Sequence, residues 1–217
     1  MAYPVKVKSE KLKVKSFGIG IIGLGRMGMQ IARRLHKQRF KVVAWNRNPK
    51  KRAAFRKFAL RLSSGSTSRV ADSIPELVEG LKRPRTIWLM LPAHETDAYI
   101  SQLSKLLSRG DMVIDGSNSF YKESQKRAQK LARRQVHYLD AGVSGGVWGE
   151  RNGFSIMVGG NPKIYKKVEP VFRALAASSI PSPSPSHKGR GRQKRIFPPL
   201  GGEGKGGGYS YGLVGHT

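Results

Sequence analysis

Residues 17–29 read FGIGIIGLGRMGM, and this stretch decides the fold. Phe17, Ile19, Ile21 and Ile22 form a short apolar run suited to a strand covered on both faces of a parallel sheet. The run breaks at Gly23-Leu24-Gly25-Arg26-Met27-Gly28, and Met29, Ile31, Ala32 and Leu35 follow with helical spacing. Strand, G-x-G-x-x-G and helix in that order are the context a dinucleotide-binding fingerprint requires. Gly23 permits the tight turn, Gly25 lets the backbone approach a pyrophosphate, and Gly28 lets the helix pack closely on the strand. The helix N-terminus offers free N–H groups and the positive end of its dipole to the phosphates. A glycine-rich turn of any other α/β protein is the competing reading, and the flanking strand and helix favour the first.

Outward from this unit, Lys41-Val42-Val43-Ala44-Trp45-Asn46 reads as a second strand and completes a βαβ unit. NAD sites usually place an acid at the end of that strand to hold the ribose 2′-OH. Here Asn46-Arg47-Asn48 is followed by Pro49-Lys50-Lys51-Arg52, with no acid. Arg47 suits a 2′-phosphate, which points to NADP. Residues 50–60 read as a helix and Ser63–Ser68 as a loop or strand edge. Ser73 and Pro75 mark a helix start. Thr86–Leu91 is another apolar strand, followed by His94, a loop histidine expected at the surface. A helix over 96–107, a strand over Met112–Asp115 and a helix over 121–134 follow, the last with a basic face expected to be solvated. Val136–Ala141 reads as a strand, Gly142–Gly149 as a flexible loop, Phe154–Val158 as a strand, and Asn161-Pro162 as the opening of a helix to about Ala176.

Composition bounds the rest. The 217 residues carry 41 Lys+Arg against 13 Asp+Glu, a formal net charge of +28 that attracts polyanions non-specifically. There is no cysteine, which excludes disulfides, thiolate metal sites and a cysteine nucleophile. No metal site is expected. The first residues are rich in lysine without a signal-peptide apolar segment, and no apolar run approaches the ~20 residues of a membrane span. The expectation is a cytoplasmic protein with no membrane association.

Four segments in order, Gly23–Gly28 (GLGRMG), Asp115–Ser119 (DGSNS), Asp140–Gly149 (DAGVSGGVWG) and Ser155–Gly160 (SIMVGG), resemble the cofactor-binding domain of 6-phosphogluconate dehydrogenase. That family decarboxylates its substrate in the pentose phosphate pathway. The resemblance covers about residues 17–176. Leu89-Met90-Leu91-Pro92-Ala93 is similar to the shorter, often NAD-linked bacterial branch, which opposes the reading of Arg47, so the cofactor is NADP or NAD. The resemblance implies that Asn118 contacts the substrate and nicotinamide region, and that Ser144, Gly145 and Gly146 hold the carboxylate end of 6-phosphogluconate. With the fingerprint residues Gly23, Leu24, Gly25, Arg26, Met27 and Gly28, the cofactor candidates are Asn46, Arg47, Asn48, Leu91 and Asn118. Ser117 stands where the family usually has glycine, a departure that could alter the backbone there.

The expected fold is α/β: a Rossmann-like, doubly wound, mostly parallel sheet with helices on both faces, plus a disordered low-complexity C-terminal tail. The domain reading is a basic arm at 1–16, the dinucleotide-binding domain at 17–177 and a Pro/Ser/Gly-rich basic tail at 178–217. Residues 208–216 faintly echo the family's connection into its next segment. The resemblance implies a lysine base and a glutamate acid on a helix beyond that point, in an all-helical domain through which the family dimerises. Neither residue is matched in this chain, so no catalytic residue is assigned. The expected function is therefore a 6-phosphogluconate dehydrogenase by family, cut short of its proton-transfer groups. The alternatives are a non-catalytic dinucleotide-binding fragment and, on charge alone, a nucleic-acid-binding protein, which no recognised module supports.

Overall fold

The computed structural model describes residues 17–61, 68–177 and 211–213. Five parallel strands follow the reading of the sequence: β1 (Gly18–Ile22), β2 (Lys41–Trp45), β4 (Thr86–Leu89), β5 (Met112–Asp115) and β6 (His137–Ser144). β3 is only Arg69–Val70, and β7 (Ser155–Gly160) and β8 (Tyr211–Leu213) close the far edge. The order is β3-β2-β1-β4-β5-β6-β7-β8, all parallel except that β7 runs antiparallel to β6. The helices are α1 (Arg26–Lys37), α2 (Pro49–Arg61), α3 (Ile74–Glu79), α4 (Ala93–Leu106), α5 (Tyr121–Ala132), α6 (Gly149–Asn152) and α7 (Pro162–Leu175).

Period-two alternation sends successive strand residues to opposite faces, and each face has its own core. Ile19, Ile21, Val42, Ala44, Trp88 and Ile114 pack with Ile31 and Leu35 of α1, Phe55 of α2 and Phe172 of α7. Ile22, Val43, Ile87, Leu89 and Val113 pack on the other side with Leu77 of α3, Ile100 and Leu103 of α4 and Leu131 of α5. Strands buried on both sides need near-continuous apolar sequence, which explains why they were readable as such. At α3, the Ser73 hydroxyl accepts from the Glu76 backbone N–H, as a capping serine should.

Several expectations change. The segment 142–149 is not a loop throughout: Gly142, Val143 and Ser144 extend β6 and pair with β7, and a 3₁₀ turn (Gly146–Trp148) and α6 follow. That pairing joins segments brought together only by the hairpin, so the glycines mask it locally. Ser68 is irregular, and β3 follows it as a two-residue strand the sequence does not announce. Tyr211–Leu213, inside the expected disordered tail, forms β8 against β7. The basic arm at 1–16, residues 63–67 of the serine cluster, and tail residues 178–210 and 214–217 lie outside the described residues.

Trp88 is fully buried and meets Phe172 edge-to-face, with ring centroids 5.6 Å apart. Trp88→Ala is expected to lower the unfolding free energy by about 3–5 kcal/mol, measured by urea denaturation, because the packed core around it cannot close on the void.

Candidate functional site

Strand register brings one set of loops to one level. Ile22 pairs with Trp45 and with Leu89, Leu89 with Asp115, and Asp115 with Asp140. The order reverses between β1 and β4, so a crevice opens at the carboxyl ends of these two strands. A cavity of about 220 Å³ lies there, and Gly23, Gly25, Asn46, Arg47, Asn48 and Leu91 line it. Met90 and Pro92 also line it, and Trp45, Glu95 and Tyr99, none of them a sequence-based site candidate, complete its wall. A second cavity of about 450 Å³ adjoins it, sharing Trp45 and Tyr99 and reaching Ser73 and Gln102.

The turn after β1 is built by contact. Gly23 sits at φ +102°, and a Cβ there would run into the Met90 carbonyl. A Cβ on Gly28 would meet the Gly23 carbonyl, so α1 lies directly against the turn. At Gly25, by contrast, a Cβ would meet no atom within 4 Å: the space faces the crevice. α1 starts at Gly25 with no side-chain cap and no acid in its first turn, leaving its first N–H groups and dipole for an anion. This donor set, with the open face of Gly25, fits a pyrophosphate.

The remaining cofactor candidates divide. The Leu24 side chain is fully buried, so only its backbone belongs to the turn. Its N–H donates to Asn46 Oδ1 at 2.8 Å, so Asn46 ties the end of β2 to the glycine turn. Arg26 is exposed and Met27 half-buried at the start of α1, and neither lines the cavity. Arg52 donates to the Asn46 carbonyl at 2.8 Å and fixes the β2–α2 bend. Arg47 extends into solvent and pairs with Glu95, Nη2 to Oε1 3.4 Å. His94 is exposed as expected but lies in the first turn of α4 rather than in a loop.

Asn118 follows β5 and does not line the cavity; it is exposed, at φ +57°. Its loop is held from below. The fully buried Asp115 accepts from the Tyr138 hydroxyl at 2.7 Å and from Arg127 Nη1 at 3.2 Å, and its other oxygen accepts from the Ser117 N–H at 3.0 Å. Arg127 also donates to Asp97 at 2.6 Å and to the Ser119 hydroxyl at 2.5 Å. Burial opposes the charge of Arg127, but the hydrogen bond to Asp97 and the field of Asp115 outweigh it and raise its pKa. Burial, reinforced by Asp115, pushes the Tyr138 hydroxyl up. Arg127 lies on the helix face expected to be solvated; its partners come from β5 and α4, which helical spacing alone does not reveal. Ser117 needs no positive φ, and its hydroxyl meets that of Ser119 at 2.6 Å.

Ser144, Gly145 and Gly146 lie at the end of β6 and are tied to α1. Gln30 Nε2 donates to the Gly146 carbonyl at 3.1 Å, and Gln30 Oε1 accepts from the Glu150 N–H at 3.1 Å. One turn on, the buried Arg34 donates to the carbonyls of Glu150, Ala174 and Ala176. Lys37 pairs with the Glu150 carboxylate at 2.7 Å. Residues 30, 34 and 37 share one helical face, a spacing visible in the sequence but without a visible partner. Among the described residues no group of three or more His, Asp or Glu side chains could hold a metal, and no helix is long and apolar enough to cross a membrane.

Comparison with known proteins agrees with this geometry. The family model for the NAD binding domain of 6-phosphogluconate dehydrogenase matches residues 18–182. A Bacillus subtilis protein, YqeC, described as a 6-phosphogluconate dehydrogenase, is 38% identical over 161 residues, 74% of this chain and 52% of that protein. The decarboxylating 6-phosphogluconate dehydrogenase of Candida albicans is 39% identical over 166 residues, 76% of this chain and 32% of that protein. The chain thus spans from about a third to about half the length of these relatives. Among solved structures, a Plasmodium falciparum 6-phosphogluconate dehydrogenase, studied with NADP+ and with 6-phosphogluconate, superposes with a TM-score of 0.68 at 32% identity, covering 74% of this chain and 34% of that one. A 3-hydroxyisobutyrate dehydrogenase of Mycobacterium tuberculosis, at 22% identity and a TM-score of 0.63, shares the fold.

The buried pair is testable. Arg127→Met should cost about 3–5 kcal/mol in urea denaturation, because it leaves Asp115 charged and buried without its cation. Adding Asp115→Asn should restore part of that loss. Burial, then the charge of Asp115, raises the Asp140 pKa. A raised carboxyl favours folding below the unfolded aspartate pKa and loses that contribution as pH rises through its folded value. Asp140→Asn is therefore expected to raise the melting temperature at neutral pH and leave it unchanged at strongly acidic pH, followed by circular dichroism.

Proposed function

The chain belongs to the family of NAD binding domains of 6-phosphogluconate dehydrogenase, and on that premise we propose that it supplies the cofactor-binding half of such an oxidoreductase. In this reading a nicotinamide dinucleotide lies across the crevice between β1 and β4. Gly23, Gly25 and Gly28 with the first N–H groups of α1 receive the pyrophosphate, and Arg47, Asn48 and Leu91 flank the adenosine end. Asn46 acts indirectly, by holding the turn through Leu24. The observation that carries the reading is the coincidence of an uncapped helix N-terminus with open space over Gly25 in the switch-point crevice.

The finer reaction is the oxidation of 6-phosphogluconate to ribulose 5-phosphate and CO2. The nicotinamide, when bound, accepts the hydride. Asn118, Ser144, Gly145 and Gly146 are proposed to hold the sugar acid: an amide, a hydroxyl and backbone N–H groups can orient a polyhydroxy anion without bulk. Their placement is preset, Asn118 by the Asp115–Arg127 network and Gly146 by Gln30. The proposal assigns binding and orientation to these residues and proton transfer to none of them. Orientation of this kind contributes much of an enzyme's rate enhancement. A cytoplasmic location is proposed with the function.

Titration calorimetry with NAD and NADP tests the reading. Binding of at least one is expected, and Gly25→Val should weaken it by roughly tenfold or more with an unchanged melting temperature. Unaltered affinity in that variant would place the dinucleotide elsewhere. Nicotinamide reduction on adding 6-phosphogluconate would report the full reaction.

A further inference from the structure

We propose that Glu95, on the first turn of α4, sets the cofactor preference of the crevice by competing with a 2′-phosphate for Arg47, and so biases the site toward NAD. The inference rests on the dinucleotide reading above. Sequence alone gives Arg47 without an acid at the end of β2, a pattern that favours a 2′-phosphate. The structure supplies the missing acid from a different element, 48 residues away in the chain. Glu95 Oε1 lies 3.4 Å from Arg47 Nη2, and both residues line the same cavity beside Gly23 and Gly25.

The two ligands place different demands on that pair. A ribose 2′-hydroxyl can donate to the Glu95 carboxylate while Arg47 stays paired. A 2′-phosphate brings up to two negative charges to Arg47, against a carboxylate already there. It gains a guanidinium only by displacing Glu95 or by tolerating it at close range. Glu95 is three-quarters buried at its side chain and Arg47 mostly exposed, so the acid is the better fixed partner. The other groups facing Glu95 do not neutralise it: Arg47 is its nearest cation, and His94 Nε2 stands 3.9 Å away with its ring in solvent. Tyr99, on the same wall, carries no charge of its own at neutral pH, and its hydroxyl is pushed up by burial and then by Glu95.

A purely structural role is the competing explanation, since an acid in a helix's first turn favours the helix dipole. Calorimetric titration of the full chain with NAD and NADP separates the two. Glu95→Gln keeps the shape and removes the charge, and it should raise the ratio of NADP to NAD affinity about tenfold. Glu95→Asp retains the first-turn charge but withdraws it from Arg47, and it should shift the ratio in the same direction by less. A structural role predicts a lower melting temperature for Glu95→Gln with no change in the ratio, and wild-type behaviour for Glu95→Asp. An unchanged ratio in both variants overturns the inference. Failure of the wild-type chain to bind either nucleotide overturns the dinucleotide reading itself, and this inference with it.

Discussion

The close approach of three backbone segments at the end of β1 is the constraint on which the rest depends. The turn at Gly23 presses on the carbonyl of Met90, and α1 presses on the carbonyl of Gly23 through Gly28. No side chain can be inserted at either point, so β1, α1 and the end of β4 are fixed as one body. Gly25, between them, has no such neighbour. The difference between two glycines that are packed against and one that is not turns a tight turn into a receptacle. The backbone hydrogen bond from Met90 N–H to Ile22 O, 2.8 Å, and that from Gly23 N–H to Trp45 O, 2.9 Å, then fasten the turn to both neighbouring strands.

From that body α1 extends as a beam. Gln30, Arg34 and Lys37 reach from it to the Gly146 and Glu150 region, and Arg34 also takes up the last carbonyls of α7. A helix C-terminus presents carbonyls that need donors, and a guanidinium with five N–H groups can serve several at once. Burial lowers the pKa of Arg34, and among the described residues no carboxylate pairs with it: carbonyl dipoles face its charge. The helix that begins at the crevice is therefore also bonded directly, through Gln30, to Gly146 and Glu150 beyond the end of β6.

What was legible in the sequence was local. Ile19 to Ile22, Val42 to Ala44, Thr86 to Leu89 and Met112 to Asp115 announce themselves because a strand covered on both faces must be apolar throughout, and the glycine spacing follows from contacts within a few residues of one another. What was not legible depends on partners distant in the chain. Arg127 reads as one more cation on a basic helix until the fold brings Asp115 and Asp97 to it. Gly142–Ser144 reads as loop until β7 returns alongside. Arg47 reads as an unopposed cation until α4 delivers Glu95. Each failure has the same physical source: a charged or glycine-rich segment carries no periodic signal of what will face it.

The net charge of +28 acts on every anion near the surface. A global excess of that size draws any polyanion toward the surface and so contributes little to discrimination between them. Discrimination must come from the few acids, and their placement is uneven. Asp115 is spent on a buried network beneath the Asn118 loop, and Glu150 on the cations of α1. Among the described residues that line the crevice cavity, Glu95 is the carboxylate and Arg47, opposite it, the cation. In a strongly positive field, adding one more phosphate to a ligand is favourable almost anywhere on the surface. In the proposed binding mode Glu95 sets a fixed negative charge beside the 2′-position, so local charge order there opposes the global field.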